Sequence, residues 1–246
     1  MKLRIATYNI HKGFSHFNRR MMVHELRRRL RILNADLVFL QEVHGENPHH
    51  ALNMPDWPTE PQYEFLADQV WPDFAYGRNA VYEHGDHGNA ILSRYPIVSA
   101  ENQDISDHRF EQRGLLHCEV AGETFHLHCL CVHLGLLARG RRRQLTALIE
   151  RVQRLVPSTA PLIVAGDFND WHNKAGQYLL DALGITDVFH DLHGRAALTY
   201  PSGMPLLRLD RIYARGFRVC RGEVHHGKPW SRISDHAVLS AELEFL

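Results

Sequence analysis

The chain has 246 residues, enough for one large domain, and its 44% hydrophobic and 23% charged residues are the balance of an ordinary globular protein. Its formal net charge of +0 excludes a global attraction to nucleic acid or to an anionic membrane. No apolar run approaches a membrane span, no signal-peptide core opens the chain, and the four cysteines lack paired spacing, so the reading is a cytoplasmic monomer, residues 1–246 forming a single domain.

Residues 3–9 alternate apolar and polar side chains and predict a strand ending at Asn9. A helix is expected after Asn18, with Met22, Leu26, Leu30 and Leu33 on one stripe and a run of arginines from Arg19 to Arg31 on the other face. Residues 36–42 predict a buried strand ending in Glu42. Residues 44–72, rich in Pro, Asn and His, read as a long loop with a short helix near 62–70, in which Trp57 and Trp71 offer an apolar binding surface. Residues 88–93 predict a further strand, and residues 113–120 with 124–133 a hairpin. On its second arm Leu127, Cys129, Cys131 and His133 share a face. Cys129-Cys131-His133 has the makings of a zinc corner, but buried thiols are the commoner meaning of Cys on an apolar face.

The next helix carries Leu145, Leu148, Ile149, Val152 and Leu155 on its apolar side. Arg139, Arg141, Arg142 and Arg143 crowd its start, where they oppose the macrodipole and offer contacts to anions. Residues 161–169 begin as an apolar run, the mark of a strand buried on both faces, and end in Gly166-Asp167-Phe168-Asn169. A period of two sends Asp167 and Asn169 to the same face and Phe168 to the other. A short helix over 175–183 stops at Gly184, a turn follows at 199–203, and a strand over 206–214 contains Asp210. Ser234-Asp235-His236 opens the last strand, 237–245. Strands alternating with helices and hairpins predict an α/β fold with mixed sheets.

The polar residues at strand edges are Asn9, Glu42, His133, Asp167, Asn169, Asp210, Asp235 and His236. Each alone is an ordinary turn residue. Together they supply many oxygen donors, which suit Mg²⁺ or Mn²⁺ better than zinc, and two histidines able to move protons near neutral pH. Such an ion would clamp a phosphate oxygen.

In order along the chain, Thr7-Tyr8-Asn9, Leu40-Gln41-Glu42, Gly88-Asn89-Ala90-Ile91-Leu92-Ser93, Val132-His133-Leu134, Gly166-Asp167-Phe168-Asn169, Arg208-Leu209-Asp210-Arg211-Ile212 and Ser234-Asp235-His236 resemble the endonuclease/exonuclease/phosphatase superfamily. That group includes pancreatic deoxyribonuclease, exonuclease III, neutral sphingomyelinases and inositol polyphosphate 5-phosphatases. The resemblance implies a four-layer sandwich: two packed, mixed and mostly antiparallel β-sheets flanked by helices, with the active site at one edge. It implies that Glu42, with Asn9 and Asp235, holds Mg²⁺ or Mn²⁺. Asp167 and Asn169 would orient water and the scissile phosphate, and His236, paired with Asp210, would act as base or phosphate-stabilising imidazole. His133 would serve the leaving oxygen or the phosphate, and Arg113 would bind phosphate. The expected activity is metal-dependent hydrolysis of a phosphodiester by activated water, nuclease-like. A lipid head-group or inositol-phosphate phosphoesterase is the alternative, and a silent binding module of the same fold a third. The phosphate-ester substrate, nucleic acid or phospholipid head group, stays open, because one phosphate site serves many specificity loops.

Overall fold

The computed structural model describes residues 1–15, 19–108 and 111–246. Along the chain the strands are β1 (Lys2–Asn9), β2 (Leu37–His44), β3 (Asp73–Tyr82), β4 (Gly85–Ser93), β5 (Ile97–Asp104) and β6 (Gly114–Ala121). There follow β7 (His126–His133), β8 (Leu162–Asp167), β9 (Thr186–Asp187), β10 (Asp210–Arg215), β11 (Phe217–His225) and β12 (Val238–Phe245). The helices are α1 (Val23–Leu33), α2 (Pro48–Asn53), α3 (Gln62–Ala67), α4 (Ala138–Leu155), α5 (Ala175–Leu183) and α6 (Val188–His193).

The strands form two six-stranded sheets, ordered β11-β12-β1-β2-β4-β3 and β5-β6-β7-β8-β10-β9. β1 pairs with β2, and β7 with β8, in parallel; the remaining pairs are antiparallel. Alternation along each strand builds three apolar layers. Leu3, Ile5, Leu37 and Phe39 of the first sheet meet Leu127, Cys129, Cys131 and Ile163 of the second between the sheets. The opposite face of the first sheet, with Val38 and Leu40, receives Leu26 and Leu30 of α1 and Phe65 of α3. The outer face of the second sheet, with Leu130 and Val164, receives Leu148 and Val152 of α4 and Leu179 of α5. The result is the expected sandwich of two mixed sheets between helices. Each such fully buried side chain contributes about 1.5–3 kcal/mol relative to exposure, so the layers hold firmly.

Several local expectations change. α1 starts at Val23 with Met22 at its N-cap, and Asn18 lies outside the described residues. The arginines on the α1 surface are paired: Arg27 and Arg31 with Asp68, Arg28 and Arg29 with Glu25. Residues 44–72 are less irregular than expected, because Asn47 caps α2 by accepting from the backbone N–H of His50. Trp57 and Trp71 are no apolar landing surface. Trp57 stacks among Phe14, His44 and His50, and Trp71 is buried with its indole N–H donating to Ala35 O at 3.0 Å. The strand expected over 206–214 begins only at Asp210. Residues before it fold back as a short hairpin with Tyr200 bridged to Leu207.

Candidate active site

Strand register gathers the polar ends at one edge of both sheets. In the second sheet His133, the last residue of β7, is level with Asp167, the last of β8, and Asp167 is level with Asp210, the first of β10. In the first sheet Asn9 ends β1 opposite Gln41 of β2, and His236 lies just before β12. Two devices aim these groups. A register shift between Leu40 and Val43 in the β2–β4 pair leaves Glu42 at φ 55°, turning its carboxylate out of the ladder. Gly166, at φ 146°, brings β8 so close to β7 that a Cβ there would lie 2.0 Å from Val132 O. Only glycine fits.

Asp167 is the hub. Asn9 Nδ2 donates to its Oδ2 at 3.1 Å, His133 Nε2 lies 3.5 Å and His236 Nε2 3.8 Å from the same oxygen, and its Oδ1 accepts from the Asn169 N–H at 2.9 Å. Asn9 Nδ2 also reaches Glu42 Oε1 of its own sheet at 3.4 Å, so that its bond to Asp167 ties the two sheets, while the Asn9 amide oxygen accepts from the His11 N–H. His236 Nδ1 is 2.9 Å from Asp210 Oδ2. Asn169 does not leave a strand beside Asp167, as a period of two implied. β8 has ended, Asn169 sits at φ 48°, and its side chain donates to Leu134 O. Asp235 turns toward His11, 3.5 Å away. Arg113 keeps a buried Nε without a partner among the described residues.

Burial and charge set the proton states. Burial pushes the Asp167 carboxyl up to about 6; His236 opposes this and Asp210 adds to it. Burial disfavours charge on His236, but the carboxylates of Asp210 and Asp167 outweigh it and raise the imidazole to about 10. His133 goes the other way. Burial, Arg113 and His236 hold it well below the usual histidine range. One histidine of the pair is therefore charged and one neutral at pH 7.

Asp167, Asp210 and His236, all buried, bring ligand-type atoms within 4.8 Å of one another, a possible metal site in which the two carboxylates are the donors so long as His236 keeps its proton. Asp210 Oδ1 is buried with no hydrogen-bond partner among the described residues, an orphan that a cation would satisfy. The donor set of carboxylates Asp167, Asp210 and Glu42 suits a hard ion. A zinc corner at Cys129 and Cys131 does not form: both thiols are buried in the apolar layer between the sheets, and burial raises both.

Sequence reasoning missed four residues. The Thr199 hydroxyl accepts from the N–H groups of Leu209 and Asp210 and so fixes the start of β10. The Tyr200 ring stands 5.2 Å from that of His236. Lys12 and His87 flank His133 and help to depress its proton affinity. Thr199 and Tyr200 were legible only as a turn. The signal for Lys12 was its place three residues after Asn9, beyond a strand end.

A separate hollow of about 940 Å³, lined by residues of α6, β11 and the segment 195–208, contains none of these catalytic-edge side chains.

A family model described as the Endonuclease/Exonuclease/phosphatase family matches residues 6–236. The chain is 48% identical over 244 residues to the uncharacterized protein YbhP of Escherichia coli K12, covering 98% of this chain and 95% of that protein. The fold is similar to that of an endonuclease/exonuclease/phosphatase from Beutenbergia cavernae, with a TM-score of 0.78 and 19% identity over 99% of this chain and 72% of that one. It is also similar to D. rerio TDP2 complexed with single-strand DNA product, with a TM-score of 0.72 and 18% identity over 99% of both chains. With the ordered motifs, the sandwich and the buried Asp-Asp-His cluster, this match over nearly the whole length leaves one assignment: the chain belongs to the endonuclease/exonuclease/phosphatase family.

Proposed function

We propose that residues 1–246 act as one catalytic domain, a Mg²⁺- or Mn²⁺-dependent phosphodiesterase that hydrolyses its substrate by attack of an activated water, nuclease-like in its chemistry. The observation that carries this is Asp167, a buried carboxylate touched at once by Asn9, His133 and His236. Its value near 6 lies close to working pH, which suits the group that takes a proton from water. Asn169, fixed against Leu134 O, holds the water and phosphate beside it. His236 already carries its proton, held there by Asp210, and faces the phosphate as a cation. Neutral His133 keeps its proton and hydrogen-bonds the phosphate from its imidazole N–H, while charged His236 gives the leaving oxygen its proton and regains one from Asp167, which has taken it from the water; Arg113 contacts the non-bridging oxygens. Glu42, with Asn9 and Asp235, would hold the divalent ion, and the Asp167–Asp210 carboxylates border the same cleft. When bound, the ion supplies charge neutralisation at the phosphate.

The test is hydrolysis of bis-p-nitrophenyl phosphate and p-nitrophenyl phosphate with Mg²⁺, Mn²⁺ or EDTA, for the wild type, Asp167→Ala and His236→Ala. Diester cleavage that needs metal and is lost in both variants is expected. Preference for the monoester would turn the reading to a phosphatase. Cleavage that survives both substitutions, or no cleavage with either metal, would overturn it.

A further inference from the structure

Three loops leave the catalytic edge side by side, because β7, β8 and β10 are neighbours whose catalytic-edge ends are in register. They are stitched together: Leu134 N–H donates to Asp167 O, Asn169 Nδ2 to Leu134 O, and Phe168 N–H to Leu209 O. The loops after β7 and before β10 expose aliphatic side chains. Leu136 and Leu137 are 57% and 64% exposed, and Leu206 and Leu207 are 62% and 41% exposed, with Trp171 also at the surface. Exposed apolar residues are common singly, but paired leucines on neighbouring loops around one cleft form a rim.

The same rim is cationic. Arg139 and Arg142 at the start of α4 and Lys174 before α5 are exposed, and none of the three is in an ion pair among the described residues. Other basic groups of the α4 start are committed elsewhere. Arg141 is buried, donates to the backbone oxygens of Gly135 and Leu136 and lies over the Trp171 ring at 5.0 Å, and Arg143 pairs with Asp107. The carboxylates nearby are themselves engaged: Asp170 is buried and accepts from the Ala175 N–H, Asp107 pairs with Arg143, and Glu111 accepts from Gln144 Nε2.

We propose that this rim docks the cleft onto the surface of an anionic phospholipid bilayer, so that the diester cleaved is carried by a lipid. The proposal rests on the phosphodiesterase reading only for what is cleaved; docking stands on the rim. Aliphatic side chains enter the acyl boundary while arginine and lysine meet anionic head groups, and each cation near such a surface adds binding. A nucleic-acid strand would favour flat aromatic faces. Tyr178 and His172 lie beside these cations and Trp171 has Arg141 over its ring, but the most exposed apolar side chains of the rim are leucines. A second copy of the chain would oppose the same cations across a two-fold axis.

The test is co-sedimentation in EDTA with unilamellar vesicles of phosphatidylcholine, alone or mixed with phosphatidylglycerol. Tryptophan emission is read in parallel: Trp57, Trp71 and Trp230 are buried, so a blue shift on binding reports Trp171. The wild type is expected to bind the mixed vesicles at least about tenfold better than the neutral ones, with a blue shift absent from Trp171→Phe. Leu136→Asp with Leu137→Asp, Leu206→Asp with Leu207→Asp, and Arg139→Glu with Arg142→Glu are each expected to reduce binding about tenfold or more while bis-p-nitrophenyl phosphate hydrolysis stays within about twofold. No vesicle binding, or binding indifferent to all three pairs, overturns the proposal. So does loss of single-stranded oligonucleotide binding, or dissociation of a dimer, in these variants with vesicle binding unchanged. Failure of the phosphodiesterase reading would instead appear in the soluble-substrate assay, which needs no vesicles.

Discussion

Histidines occupy two opposite environments in this molecule. At the catalytic edge His236 lies between the carboxylates of Asp210 and Asp167, and their charge raises it to about 10 against the cost of burial. Over the first sheet, His44, His50 and Trp57 pack ring against ring with Phe14, and His87 stands beside them. There burial wins. His44 is pushed down to about 4, with its Nδ1 3.2 Å from Asp86 O, and His87 to about 3, with Lys12 and Arg113 adding repulsion. Both are neutral at pH 7 where His236 is charged. The chain has 19 histidines, and that count says nothing about chemistry; the balance of burial, carboxylates and neighbouring cations decides it, since His133, 3.5 Å from Asp167, is held neutral by burial and by Arg113 and His236.

The contrast can be attacked at four points. His236→Gln removes the charged imidazole and is expected to lower kcat/KM about 10⁴-fold, as losses of such units do. A fall of less than about tenfold would show that the charged histidine does not act in the reaction.

Asp210→Asn keeps the shape but removes the carboxylate that holds the proton. A drop of about 10³-fold in kcat is expected, and a ring-proton NMR titration of metal-free protein should show His236 titrating at clearly lower pH. An unmoved titration would mean that Asp167 alone sustains the charge.

The opposite region predicts acid lability. His44 takes up a proton near 6.5 when unfolded but only near 4 when folded, so its stabilising contribution is complete above about pH 6.5 and is lost as pH falls toward 4. The full loss is about 3 kcal/mol. Urea titrations from pH 7 to pH 4.5 should show it, and His44→Phe should flatten the slope by up to about 1.4 kcal/mol per pH unit. An unchanged slope in His44→Phe would assign the acid lability to other groups.

Arg113 borders both regions, since its charge depresses His133 and His87 alike. Arg113→Ala is expected to raise KM for the diester about tenfold with a smaller change in kcat. If KM holds and only the His87 titration moves, the guanidinium belongs to the aromatic region and not to the phosphate site.

Legibility in the sequence follows burial. The interior strands β1, β2, β4, β6, β7, β8, β10 and β12 read as apolar runs or alternations, and each was expected. The four without a visible signal, β3, β5, β9 and β11, are the outermost strands of the two sheets. β5 is exposed at most of its positions, and β11 carries a register shift between Val219 and Arg221, so neither repeats an apolar period. For the site, motif order pointed to Asp167, Asp210, His133 and His236, and the fold brings these four together. Lys12, His87, Thr199 and Tyr200 stayed hidden because they reach the cleft from loops and from a strand crossing, where no spacing rule applies. The exposed leucines at 136, 137, 206 and 207 were equally silent, since they lie in loops beyond the ends of β7 and β10, where no strand period applies.

The Asn9 amide that joins Asp167 to Glu42 also makes catalytic geometry a gauge of how far apart the two sheets stand. Deeper in the same seam Gln41 Nε2 reaches Cys131 Sγ at 3.2 Å, and that thiol in turn donates to Leu40 O. Anything that swells this seam, such as an adduct forced onto Cys131, acts as a wedge driven between two plates. It would pull Asp167, proposed to activate the water, away from Glu42, proposed to hold the metal, without touching either. In this architecture turnover should fail while the sandwich is still folded, which makes activity the most sensitive reporter of interior expansion.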